Sequence, residues 1–116
     1  MKIPAPPGGS QRAGRRLWRA VVGDFDLAEH EMALLREAVF VADTCDLLQG
    51  MVNEDGPMVE GRANPALVEL RMQRILLARL LVALRVPIGD AEDAGSEGRL
   101  QRRGLRGVYA VRDGAA

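Results

Sequence analysis

Residues 26–53 read DLAEHEMALLREAVFVADTCDLLQGMVN, and residues 64–86 read NPALVELRMQRILLARLLVALRV. In the first stretch Leu27, Leu34, Val41 and Leu48 recur every seven residues, with Ala38, Cys45 and Val52 interleaved. That seam suits one long partner helix. A second stripe, Met32, Leu35, Val39, Phe40, Leu47 and Met51, lies on another side. At 1.5 Å per residue such a helix is roughly 40 Å long. Asp26 reads as its N-cap, with Glu29 at capping-box spacing, and Asp26, Glu29 and Glu31 suit the positive end of the helix dipole. In the second stretch Asn64 caps, and Pro65 takes the first helical position, where its missing N–H costs nothing. Leu67, Leu70, Leu77, Leu81 and Leu84 form one face; Val68, Met72, Ile75, Leu76 and Val82 form another. Pro87 and Gly89 end the helix.

Between the two helices, Asp55-Gly56-Pro57 and Glu60-Gly61 mark turns. Met58-Val59 and Arg62-Ala63 leave room for a tiny hairpin, the less favoured reading of this connection. Upstream, Gly14 to Val22 is a short helix with Leu17, Trp18, Val21 and Val22 on one side. Pro4, Pro6, Pro7, Gly8 and Gly9 make residues 1–13 a flexible arm. Residues 89–116 turn Gly-, acid- and Arg-rich and read as a disordered tail. The expected fold is therefore all-α: a short N-terminal helix plus a long antiparallel helical hairpin, residues 14–88, between disordered termini.

A hairpin buries one stripe per helix, and both helices here offer more than one. A stripe left in water is a patch that monomers avoid. Assembly of several copies, with Leu35, Phe40, Leu47, Met51, Met72, Ile75 and Leu76 at the interface, is the economical expectation. The competing reading has the first helix cover the surplus, but its four apolar residues are too few for both helices.

The composition agrees with helix–helix seams: of 116 residues 47% are hydrophobic and 3% aromatic, namely Trp18, Phe25, Phe40 and Tyr109. No apolar segment follows the Pro/Gly-rich start, so no secretory signal is expected. The run Ile75 to Leu84 is too short to cross a bilayer and contains Arg79. A lone Cys45 excludes an internal disulfide framework and a cysteine-built zinc site. An intracellular, soluble protein without a membrane partner is expected.

The formal charge of 0 hides alternating blocks. Lys2, Arg12, Arg15, Arg16 and Arg19 stand without an acid in residues 1–23, whereas residues 24–60 hold ten acids against Arg36. Residues 61–88 return to basic, 89–98 carry four acids, and 99–116 carry five arginines with Asp113. Such blocks suit acidic and basic faces that meet within one chain or between copies.

Signatures of catalysis are missing. His30-Glu31 matches half of an H-E-x-x-H zinc helix, but position 34 is Leu and the chain has one His. His30 and Cys45 lie fifteen residues apart, on the order of 20 Å along a helix, and are no nucleophile–base pair. Cys45 reads as a small buried hydrophobe. No G-x-x-x-x-G-K-[ST] phosphate loop exists, and Asn53-Glu54-Asp55-Gly56 is too sparse for an EF-hand. Neither an enzyme nor a cofactor or metal is expected. What remains is binding: Arg12, Arg15, Arg16 and Arg19, at and before a short helix, suit phosphate contacts, and a ring would multiply them.

The order of short motifs resembles a known family. Gly14-Arg15-Arg16-Leu17-Trp18-Arg19 leads through Asp24-Phe25-Asp26-Leu27 into the long acidic helix; then come Asp55-Gly56-Pro57, Gly61-Arg62, Asn64-Pro65-Ala66-Leu67 and a Leu-rich helix to Arg85-Val86-Pro87. Over residues 14–88 this layout resembles the small terminase subunits of tailed bacteriophages. The resemblance implies a non-catalytic, ring-forming packaging component in the cytoplasm of an infected bacterial host. It would bind double-stranded viral DNA and modulate the large terminase subunit, which holds the ATPase and nuclease. Residues 27–53 and 65–86 would then form the ring, and Arg12, Arg15, Arg16 and Arg19 would contact DNA. Arg71, Arg74 and Arg79, with Arg85, are a further DNA or large-subunit contact if they line a channel. Arg99, Arg102, Arg103 and Arg106 in the tail are another. Two alternatives stand beside this: a dimeric helix-turn-helix regulator, disfavoured because Asp26, Glu29 and Glu31 repel phosphate at the would-be recognition helix, and a helical-hairpin adaptor with no nucleic-acid role.

Overall fold

The computed structural model describes residues 3–85. They form three helices, α1 (Arg12–Asp24), α2 (Glu29–Asp55) and α3 (Pro65–Leu84), with a two-stranded antiparallel hairpin, β1 (Met58–Val59) and β2 (Arg62–Ala63), between α2 and α3. The tail from 86 onward, with Arg99, Arg102, Arg103 and Arg106, lies outside the described residues.

The α2–α3 connection is built from its own residues. Gly56, at φ 83°, ends α2 and donates its N–H to the Val52 carbonyl at 2.7 Å. Met58 pairs with Ala63 and Val59 with Arg62. The two residues between, Glu60 and Gly61, both have positive φ (52° and 77°), the backbone that a two-residue turn needs to match strand twist. The hairpin that the sequence reading favoured less is therefore present. Asn64 is buried and closes the connection: its Oδ1 accepts from the Ala66 N–H at 2.9 Å, and its Nδ2 donates to the Gly56 carbonyl at 2.8 Å. Helix α3 starts at Pro65, as the Asn-Pro pair predicts. It ends at Leu84, with Arg85 in the left-handed conformation at φ 61°. Pro87 follows two residues after that cap in the sequence.

Two hydrogen bonds give the register of the hairpin. Asn64 bonds Gly56, and Arg74 donates to the Gln49 side chain. Ten residues forward along α3 thus move the partner seven residues back along α2, so the helices run antiparallel. Leu70 and Leu84 of α3 are fully buried, and Leu67, Leu77 and Leu81 half-buried, as their shared face requires. On α2, Ala38 is buried and Leu34, Val41, Cys45, Leu48 and Val52 are half-buried along the seven-residue seam.

The start of α2 departs from the sequence expectation. Its N-cap is Ala28, whose N–H donates to Glu31 Oε1 at 2.7 Å, rather than Asp26. Ala28/Glu31 has the same spacing as Asp26/Glu29, so local pattern does not choose between them. Burial of Phe25 in the core, with extended backbone, holds the chain out of the helix until Ala28.

The main core sits at one end of the hairpin. Trp18, Val21, Val22 and Phe25 pack with Leu35 and Val39 of α2 and Leu84 of α3. Leu35, an expected contact between copies, is instead 0% exposed beneath α1. Helix α1 thus covers the first half of the second α2 stripe and stops; Phe40, Leu47 and Met51 stay in water.

Residues 3–11 are also tied down, which corrects the expectation of a free arm. The Pro4 carbonyl accepts from Trp18 Nε1 at 2.9 Å. The buried Ser10 donates its hydroxyl to the Pro7 carbonyl at 2.6 Å, and Arg15 donates to the Ser10 carbonyl at 2.7 Å. Helix α1 begins at Arg12, two residues before Gly14.

Candidate nucleic-acid interface

Helix α1 has no side-chain cap of its own at Gln11. Asp43, thirty-two residues on and in α2, supplies one. Its Oδ2 accepts from the Gln11 N–H and its Oδ1 from the Gly14 N–H, both at 2.6 Å. These are charge-assisted bonds to amides that would otherwise lack a helical partner. The close approach needs Gly14: a Cβ there would lie 2.6 Å from the Val39 carbonyl oxygen and 2.7 Å from both Asp43 Oδ2 and Val39 Cγ1. Because Asp43 occupies the helix N-terminus, a phosphate must be met by side chains instead.

Those side chains stand together. Gly14, Trp18, Val21 and Val22 are the buried side of α1, while Arg12, Arg15, Arg16 and Arg19 are exposed. At 3.6 residues per turn the four arginines occupy a sector of about 100°, turned away from the hairpin. They span about 10 Å of helix, the rise over which one DNA strand presents roughly three phosphates. Among the described residues, Arg15 alone of the four is tied to the chain, through the Ser10 carbonyl.

Arg74 and Arg79 of α3 stand about 140° apart around the helix. Arg74 turns to Gln49 across the helix seam, whereas Arg79 lines a shallow groove with Ile75, Ala78 and Val82 on the far side of α3. Arg71 is exposed between them, about 60° from Arg74 and 80° from Arg79 around the helix, and Arg85 is exposed at the cap.

Of the residues expected between copies, Phe40, Leu47, Met51, Met72, Ile75 and Leu76 are exposed, as are Val68 and Val82. Cys45 is half-buried; burial raises its thiol pKa, and the positive charge of Arg74 opposes that shift. Among the described residues no group of three or more His, Cys, Asp or Glu is placed to hold a metal ion, and no helix is long and apolar enough to cross a membrane.

Sequence reading missed Asp43 and Gly14. Neither has a local signal, because their roles arise only where α1 crosses α2. No family model, curated protein or solved structure matches this chain.

Proposed function

We propose that this protein is a small terminase subunit: a homo-oligomeric ring, without catalytic activity of its own, that binds double-stranded DNA and regulates a large subunit carrying the ATPase and nuclease. The observation that carries the reading is the exposed row Arg12, Arg15, Arg16 and Arg19 on the outer side of α1, beside a hairpin whose apolar flanks remain uncovered. The motif order described above selects a packaging role among DNA-binding assemblies. Each copy contributes a modest basic patch, and several copies about one axis make a multivalent field. Such a protein works in the cytoplasm of an infected bacterial host.

Replacing Arg15, Arg16 and Arg19 together with Glu tests this. Duplex binding should be lost while the mass in solution stays unchanged. For the native chain the logarithm of affinity should fall with the logarithm of salt at a slope of about −3 per bound protomer, as three to four phosphate contacts require. Unchanged affinity in the triple variant, or binding indifferent to salt, overturns the DNA assignment. No change in the ATPase rate of a large terminase on adding the protein overturns the packaging role.

A further inference from the structure

The uncovered apolar residues fall on two separate faces. On α2, Phe40, Thr44, Leu47 and Met51 lie within a sector of about 60°. The seam toward α3 lies about 110° round the helix from it, and Leu35 and Val39 under α1 lie about 130° the other way. On α3, Val68, Met72, Ile75, Arg79 and Val82 lie within about 80°, opposite the inward Leu70, Leu77 and Leu84. This second face therefore looks away from α2. Leu47, Met72 and Val82 are 66%, 60% and 68% exposed.

The two faces also differ in charge. The flanks of the α2 face carry Glu37, Glu54 and Asp55 against Arg36; the α3 face carries Arg71 and Arg79. Pairing α3 with α3 would bring arginine to arginine, and pairing α2 with α2 would concentrate carboxylates. Either two-fold contact would leave the other apolar face bare. A head-to-tail contact covers both faces and opposes unlike charges, and repeating it with closure gives a ring.

From this, and resting on the oligomeric reading above, we infer that the partner of the outer α3 face is the free α2 face of a second copy of this chain. The register follows from the hairpin itself. In a ring whose axis runs along the hairpins, every copy sits at the same height. The Arg74–Gln49 rung then sets which α2 residue of one copy lies level with which α3 residue of the next. Met51 comes level with Met72, Leu47 with Ile75 and Leu76, and Phe40 with Val82. Apolar residues meet apolar residues at these three levels, Arg79 comes level with Thr44, and Glu54 falls within about one helical turn of Arg71. The groove lined by Ile75, Ala78, Arg79 and Val82 is a hole at i, i+3, i+4 and i+7, the shape into which a facing helix inserts a side chain.

Thiol cross-linking of the full chain tests the pairing. In a Cys45→Ala background, three proteins are made: Leu47→Cys, Ile75→Cys and both together. Each is treated with a short bismaleimide at native concentration and run on a denaturing gel. Within one protomer the two positions lie on different faces, so the link must form between copies. The double variant should give covalent species well beyond a dimer, and each single variant should stay a monomer. Dimers from Ile75→Cys or Leu47→Cys alone would show a two-fold contact and overturn the inference. Light scattering separates the remaining failures. A mass many times 12.6 kDa with no cross-linked product retires this pairing but leaves assembly standing, whereas a monomeric mass retires both.

Discussion

Replacing Gly14 with Ala puts helix propensity and packing in direct opposition. In an ordinary helix the change is favourable by about 1 kcal/mol. Here the new methyl would lie 2.6 Å from a backbone oxygen of α2 and 2.7 Å from two side-chain atoms of Val39 and Asp43. The Val39 carbonyl belongs to the backbone of a 27-residue helix and has little freedom to retreat. Overpacking of this kind costs about 1–3 kcal/mol. Pushing α1 off α2 also stretches the Asp43 bonds to Gln11 and Gly14, and a lost cap costs about 1 kcal/mol more. Set against the propensity gain, the net is a destabilisation of about 1–3 kcal/mol. For a domain of this size each kcal/mol moves Tm by about 4–8 °C. Gly50→Ala is the internal control: Gly50 also lies within a helix, but nothing stands within 4 Å of its would-be Cβ, so it should gain about 1 kcal/mol. Thermal unfolding followed by circular dichroism, at one protein concentration because the proposed assembly would shift Tm, reads both variants. If Gly14→Ala melts at or above the parent while Gly50→Ala melts above it, the crossing described for α1 and α2 is wrong.

Asn64→Ala removes the α3 cap and the bond to the Gly56 carbonyl together, and should cost about 2 kcal/mol in urea unfolding. Asn64→Asp keeps the acceptor and should fall between. The raised Cys45 pKa, caused by burial and opposed by Arg74, leaves less thiolate than a free cysteine has at pH 8. Alkylation of the native chain should accordingly be slower than that of the unfolded chain, and Arg74→Met should slow it further. The sign for stability follows: the contribution is whole below the unfolded-state pKa of about 8.5 and is lost as pH rises through the folded value, which a pH series of unfolding curves checks.

Local chemistry was legible in the sequence, and crossings between elements were not. Asn64-Pro65 announces the start of α3 because cap and first-turn residues are neighbours. The inward Leu67–Leu84 face of α3 follows from periodicity alone. Periodicity also puts Leu35 and Leu47 on one stripe of α2, but it reports only direction about the axis. Where α1 ceases to cover that stripe depends on the length and docking of another helix, and so Leu35 is buried and Leu47 is not. The same limit explains α2: the Ala28 cap is chosen over Asp26 by the burial of Phe25, a tertiary effect. In the candidate interface, the outward row on α1 follows from its amphipathic spacing. Asp43 has no such signal, since it serves amides about thirty positions away. Spacing already turns Arg74 and Arg79 about 140° apart on α3, and only the structure puts Gln49 opposite Arg74.

The main core, lodged where α1 meets the hairpin, makes the molecule unequal along its length. One end brings three helices together and holds the buried Trp18; the other is a bare pair of helices closed by a short hairpin turn. An isolated copy therefore has a firm base and a lightly anchored tip, and neighbours would brace the tip first. In the proposed ring, joining neighbours would be the last stage of folding for that half of the chain, and dilution, rather than heat alone, would undo it.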